Sequence, residues 1–201
     1  MALRVFGGAS KRVAAVDDYV FPTGVRQRLA ASRPGLTDAH LTMVEDAARQ
    51  WFRLHARHPR GARSMPSVLV ADWWREFVRH ERECAEFIAA AVGRPVPHAE
   101  AAGGVESGGT GHELAVTYRQ AREEPADGLP LLFRVDKSVD VPDARRYLAD
   151  CGGRGQCWTV PGAVCLQHLD GPGRATGGKG PYSTPPPPGW VSSGGDIGSG
   201  M

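Results

Sequence analysis

The chain has 201 residues, and 41% of them are apolar, so it is long enough and apolar enough to form a hydrophobic core. Its 24 basic and 22 acidic residues leave a net charge of +2, without the strongly basic surface that nucleic-acid binding needs. No apolar stretch approaches the roughly 20 residues that span a bilayer, and no secretory signal is evident at the start. We therefore expect a soluble cytoplasmic protein that binds neither nucleic acid nor membrane.

The beginning of the chain shows little periodicity. Residues 1–19 mix charged and small side chains, and we expect a loose N-terminal arm there. Residues 20–100 are expected to form a helical module. Its first helix is predicted over 24–31, with Thr23 as the N-cap and with Val25 and Leu29 on one face.

Two long amphipathic helices are predicted inside this module. The first runs from 37 to 57 with Thr37 as its N-cap, and the second begins at Pro66-Ser67 and continues to the stop signal Gly93-Arg94-Pro95. Because the connection between them is short, they should pack as an antiparallel pair. Their large aromatic residues are predicted to supply much of the core: Trp51, Trp73, Trp74, Phe77 and Phe87.

Beyond the helical module, residues 101–111 are rich in glycine and predict a flexible linker. A small helical segment follows over 112–170, with one helix at 112–123 and another that begins at Pro142 and continues through Leu148. The apolar run Leu131-Leu132-Phe133 is too short to assign to a helix or a strand. The predicted fold class is therefore all-α, a small helical domain with a cysteine-bearing loop and a disordered C-terminal tail.

The most specific chemical pattern in the sequence is a cluster of zinc-type ligands. Cys151, Cys157, Cys165 and His168 lie within a short glycine-rich stretch that can bend around an ion. Thiolates and an imidazole in tetrahedral arrangement are the ligands of a closed structural zinc site. The alternatives are three reduced cysteines in a loop or a redox-active pair at Cys151 and Cys157.

A second pair of possible ligands is His80 and Cys84, which are one turn apart on the predicted second helix. The pair can complete a metal site if that helix packs on the later cysteines. The alternative is that Cys84 is a small core residue and that His80 lies on a solvated face.

The tail over 171–201 is rich in glycine and proline and is predicted to be disordered. Pro185 to Pro188 form a polyproline run flanked by Tyr182 and Trp190. Such a run can dock in an aromatic groove of a protein partner, because polyproline II loses little entropy on binding. The alternative is a tail without a binding role.

Several short stretches between residues 20 and 100 are similar to a known group of sequences. These stretches are Phe21-Pro22, Val44-Glu45, Arg49-Gln50-Trp51-Phe52-Arg53-Leu54, Met65-Pro66-Ser67 and Asp72-Trp73-Trp74-Arg75-Glu76-Phe77. The region resembles bacterial proteins of unknown function related to plant glycine-rich domain proteins. The resemblance implies a helical module followed by a low-complexity tail, with no established reaction. Those proteins often have a histidine where this chain has Arg75 and paired histidines where it has Pro97 and His98, so no site is transferred from them.

The sequence therefore predicts a non-enzymatic bacterial protein, an interaction module with structural zinc on Cys151, Cys157, Cys165 and His168. The alternative is a thiol-dependent enzyme or redox protein in which Cys151, Cys157 and Cys165 react instead of binding metal.

Overall fold

The computed structural model describes residues 6–96, 111–142, 144–149 and 163–166. Within these ranges the chain forms mostly helices and one pair of three-residue strands, so the predicted all-α class is confirmed. In chain order the elements are α1 (Phe6–Asp17), α2 (Thr23–Ser32), α3 (Asp38–Arg57), α4 (Val68–Val78), α5 (Glu81–Ala91), α6 (Gly111–Ala121), α7 (Leu131–Ser138), β1 (Arg146–Leu148) and β2 (Ala163–Cys165).

Some sequence predictions concern residues outside the described ranges. These are the glycine-rich linker before Gly111, the loop that holds Cys151, Cys157 and His168, and the tail over 171–201 with its proline run. They stay predictions, as does the division of the chain into segments.

The expectation of a loose arm over residues 1–19 is wrong for the part that the structure describes, because Phe6–Asp17 form helix α1. This helix packs on α3 and α5, and Val16 is completely buried. Arg49 of α3 donates to the carbonyls of Val16 at 2.7 Å and Tyr19 at 2.8 Å, so a partner helix satisfies acceptors at the C-terminal end of α1. Tertiary contacts therefore stabilise a helix that its weak periodicity does not predict.

Helices α2 and α3 agree closely with the sequence. Val25 and Leu29 are fully buried, as predicted, although α2 begins at Thr23 and Pro22 holds the N-cap position that we assigned to Thr23. Helix α3 has the predicted N-cap, since the Thr37 hydroxyl accepts a hydrogen bond from the amide of His40 at 3.2 Å. It is the longest helix described and lies at the centre of the molecule, against α1, α4, α6 and α7.

The prediction of one long helix from Ser67 to Val92 is wrong, because the helix is interrupted at Arg79 and His80. Ser67 does cap α4 as predicted, accepting from the amide of Val70 at 3.0 Å. His80 then has φ −90° and ψ 67°, outside the helical region, and α5 begins with Glu81. Acidic residues in the first turn favour a new helix start there.

This interruption lets α4 and α5 face the same aromatic core. The Phe21 ring packs edge-on against Trp73 at 4.5 Å and Phe77 at 5.1 Å between ring centroids. The Phe52 ring packs in the same way against Phe87 at 4.8 Å. The predicted core aromatics are all buried: Trp51, Trp73, Trp74, Phe77 and Phe87.

The chain after residue 111 adds two helices to α3. Helix α6 matches the helix predicted over 112–123, and the unassigned apolar run Leu131-Leu132-Phe133 begins α7. The Gln50 amide links both elements to α3, because its oxygen accepts from the Leu132 amide at 2.8 Å and its nitrogen donates to Glu124 at 3.0 Å.

The helix predicted from Pro142 through Leu148 is wrong, because Arg146–Leu148 form strand β1. β1 pairs in parallel with β2, with Arg146 opposite Ala163, Tyr147 opposite Val164 and Leu148 opposite Cys165. The partner strand lies well beyond β1 in sequence, so the local pattern around Pro142 carries no sign of it.

Candidate functional site

Only one of the four predicted zinc ligands, Cys165, lies in the described part of the chain. Cys165 is the last residue of β2 and is 4% exposed. Cys151, Cys157 and His168 lie outside the described ranges. Among the residues that the structure does describe, no group of three or more histidine, cysteine, aspartate and glutamate side chains is placed to hold a metal ion.

The register of β1 with β2 determines which residues lie side by side at the ends of the two strands. Leu148 lies directly opposite Cys165, and the strands are parallel. Cys151 is three positions after Leu148 in sequence, and His168 is three positions after Cys165. Because both strands run in the same direction, Leu148 and Cys165 lie at the same end of the strand pair.

The strand pair is fixed to the helices through Tyr147. Its ring packs edge-on against Phe133 of α7, with 5.2 Å between centroids, and its hydroxyl donates to the Pro66 carbonyl at 2.9 Å. Burial raises the pKa of Tyr147 to about 12, so the hydroxyl stays a protonated donor at neutral pH. The strand that carries Cys165 is therefore held beside a strand anchored to the helical core.

His80 and Cys84 do not form the ligand pair considered from the sequence. His80 is the N-cap residue of α5, and its imidazole contacts the Arg28 guanidinium and lies against Gly24. Cys84 is buried, and burial raises the pKa of its thiol, which disfavours the thiolate needed for metal binding or attack. Cys84 is thus a core residue, and His98 lies outside the described residues.

The motif around Trp73 and Trp74 has a buried aromatic side and a charged side on α4. Its aromatic side chains enter the core, while its charged residues form ion pairs with α2 and with each other. Asp72 accepts from Arg33 at 2.6 Å, and Glu76 accepts from Arg28 at 3.0 Å. These charges hold α2 on α4, and each carboxylate in the motif is already engaged.

A basic cluster that the sequence does not predict lies between the end of α3, the loop after it and the end of α5. His55 is 3% exposed, and its Nδ1 lies 3.5 Å from Nη1 of Arg63. The indole of Trp51 packs edge-on against the His55 ring, with 4.5 Å between centroids. Burial, together with the charges of Arg63 and Arg94, lowers the pKa of His55 to about 3, so the imidazole is neutral.

The only sequence signal for this cluster is the basic composition of the loop after α3. His55 lies on the buried face of α3, but its partners come from two other segments. Arg94 belongs to the Gly93-Arg94-Pro95 stretch that the sequence marks only as a helix stop. Local periodicity cannot bring these three segments together.

The described residues thus define a small helical protein with a short parallel strand pair, and no described helix has the length and apolarity to cross a membrane. The model of the UCP032817-like family matches residues 11–168, and the chain belongs to this family. The family is uncharacterised, in agreement with the resemblance to bacterial proteins of unknown function. No curated protein and no solved structure gives a significant match to the chain.

Proposed function

We propose that this protein is a non-enzymatic, cytoplasmic interaction module of the glycine-rich-domain type, with one structural zinc ion bound by Cys151, Cys157, Cys165 and His168. The observation that carries the proposal is the register of β1 with β2, which puts Cys165 opposite Leu148. A structural ion there would tie the end of the sheet to the loop between the two strands.

Chain reach supports this ligand set. Neighbouring strands lie about 4.8 Å apart, and three residues extend at most about 10 Å. From Leu148 and Cys165, both Cys151 and His168 are therefore within reach of one ion. Zinc requires sulfur at about 2.3 Å and nitrogen at about 2.0 Å, and three cysteines with one histidine fill its four positions. A closed site of this kind leaves no position for substrate, which favours a structural role.

The interaction role is supported by the tail. Pro185 to Pro188, with Tyr182 and Trp190 beside them, have the composition of a segment that aromatic grooves of other proteins bind. The balanced charge of the chain favours a protein partner over nucleic acid. A partner with such a groove is the binding class that we propose.

Elemental analysis of purified protein tests the zinc site. We expect about one equivalent of zinc per chain, which is lost in Cys157→Ser and Cys165→Ser and retained in Cys84→Ser. Cys84 is the matched control, because it is buried like Cys165 but belongs to the α5 core. Cys157→Ser should destabilise the C-terminal part while α1 to α5 stay folded.

Thiol alkylation separates the proposal from its alternative. Zinc-bound thiolates react slowly until a chelator removes the ion, and we expect fast alkylation only after chelation. Metal-free protein whose cysteines react rapidly without chelator would refute the zinc site and favour a thiol-dependent enzyme or redox protein.

A further inference from the structure

The basic cluster of Trp51, His55, Arg63 and Arg94 contains donor groups that have no acceptor. Arg63 approaches Nδ1 of His55, so the neutral ring accepts there and carries its proton on Nε2. In the part of the chain that the structure describes, that Nε2, the indole nitrogen of Trp51 and Nε of Arg94 are all buried without a hydrogen-bond partner. Three unsatisfied donors on neighbouring side chains are unusual, because buried polar groups are normally paired.

The cluster also carries positive charge that no described carboxylate neutralises. Arg63 donates to neutral acceptors, which are the carbonyls of His58, Arg60 and Gly61 and the side-chain oxygen of Gln120. In the described part of the chain, neither Arg63 nor Arg94 forms an ion pair with an acidic residue. Burial and the nearby charge of Arg94 lower the pKa of Arg63, as expected for two cations in a poorly solvated place.

We propose that this cluster binds an oxyanion, either a carboxylate or a phosphate group. An oxyanion supplies the acceptors that His55, Trp51 and Arg94 lack and the negative charge that the two guanidinium groups lack. Guanidinium groups match the geometry of both carboxylate and phosphate oxygens. The site contains none of the proposed zinc ligands and does not depend on them.

Arg94 connects the cluster with the surface. It lines an open groove of about 510 Å³ along α4 and α5, whose walls include Val78, Ile88 and Val96. Arg94 and Glu81 both line this groove, so a ligand in it can contact the Arg94 guanidinium. An oxyanion attached to an apolar group therefore has room for both parts.

Titration of the full-length protein with sodium phosphate and with sodium acetate tests the proposal. Ionic strength is kept constant with sodium chloride, and binding is followed by calorimetry and by the melting temperature. We expect saturable binding of at least one of the two anions and a rise in melting temperature that chloride alone does not give. The two titrations show whether the site selects phosphate or carboxylate.

Arg94→Gln removes the cation and should raise the dissociation constant for the anion about tenfold or more, because charge-assisted hydrogen bonds are lost. Arg82→Gln is the matched control, because Arg82 lies in α5 but its side chain is 80% exposed. This variant should bind the anion as tightly as the wild-type protein does. Equal effects of phosphate, acetate and chloride on the wild-type protein would overturn the proposal without any variant. So would unchanged binding in folded Arg94→Gln.

Discussion

The carboxylate of Asp136 in α7 accepts a buried hydrogen bond of 2.6 Å from the hydroxyl of Ser67, the N-cap of α4. Asp136 also accepts from the amides of Val68 at 2.7 Å and Leu69 at 3.2 Å. The first amides of a helix have no partner within it, and a negative charge there is favourable. Asp136 of α7 thus supplies the hydrogen-bond acceptors for the first amides of α4.

Replacement of Asp136 by asparagine should lower the free energy of unfolding by about 1–3 kcal/mol. Both oxygens of Asp136 accept hydrogen bonds, so the amide group must turn its NH₂ toward a donor. Urea unfolding at pH 7 measures the loss. Asp46→Asn, at an exposed position of α3, should change stability by less than about 0.5 kcal/mol. Equal stability of the two variants would contradict this role of Asp136.

The same carboxylate should give the protein a characteristic pH response. Burial raises the pKa of Asp136 above its ordinary value of 3.8, although its hydrogen-bond donors oppose the shift. The folded state then holds the proton more tightly than the unfolded state, so this group lowers stability as pH rises from about 3.8 through the folded pKa. The difference in stability between wild type and Asp136→Asn, measured across that interval, should show this slope.

His55 should respond to pH in the opposite direction. Its pKa falls from 6.5 to about 3 in the folded protein, so the unfolded state binds the proton more readily. The contribution of neutral His55 to the free energy of unfolding is complete above pH 6.5. It is lost at about 1.4 kcal/mol per pH unit as pH falls toward 3. In chloride buffers, His55→Gln should lack this slope.

His58→Gln is the control for His55, because His58 lies on the surface beside Glu123. It removes a histidine near the same helix end and leaves the contacts of His55 with Trp51 and Arg63 in place. A wild-type slope in His55→Gln would show that His55 is not the titrating group.

Glu124 should be more important for stability than its neighbour Glu123. Burial alone would raise the pKa of Glu124, but hydrogen bonds and charge from Arg53, with further bonds from Arg57 and Gln50, hold it below its ordinary value. Glu124→Gln should cost about 2 kcal/mol at pH 7. The cost should begin to fall as pH drops below about 4.5, where the unfolded chain takes up the proton, and it should be lost once pH is below the lowered pKa of the folded state.

Glu123→Gln provides the comparison for this measurement. Glu123 is 47% exposed and contacts only His58 among its described partners. Its replacement should cost less than about 1 kcal/mol, as is usual for a surface ion pair. Denaturant unfolding of both variants at pH 7 separates the two positions.

Phe52 should be difficult to replace, because it lies at the centre of several ring contacts in the core. Its side chain is fully buried and contacts rings from three other segments, including Phe21, Trp74 and Phe87. Phe52→Ala should cost about 3–5 kcal/mol, a large part of the stability of a small domain. Val20→Ala, at a residue 86% exposed, should be nearly neutral in the same thermal melt.

Much of the helical core could be predicted because its signals are local. Thr37 and Ser67 cap helices where their sequence positions indicate, and the spacing of Trp51, Trp73 and Phe77 places them in the core. The sequence predictions fail where contacts with residues distant in the sequence determine the local structure. Helix α1 depends on contacts with α3, and β1 depends on a strand partner far along the chain.

The candidate sites show the same limit. The zinc pattern is visible in sequence because its ligands are neighbours, and of these the structure describes Cys165. The basic cluster joins His55, Arg63 and Arg94 from three segments and has no sequence motif. Only the fold reveals that, among the described residues, Nε2 of His55 and Nε of Arg94 are buried without acceptors.

The second half of the chain attaches to the first through specific polar contacts over long sequence separations. Leu132 binds Gln50 across 82 positions, Tyr147 binds Pro66 across 81 and Ser67 binds Asp136 across 69. Such contacts form only after long loops close, and they are lost together when α7 separates from α3 and α4. Residues 111–149 should therefore behave as a separate cooperative unit that opens at lower free energy than α3 and α4. Amide protons of α6 and α7 would then exchange with solvent before those of the aromatic core.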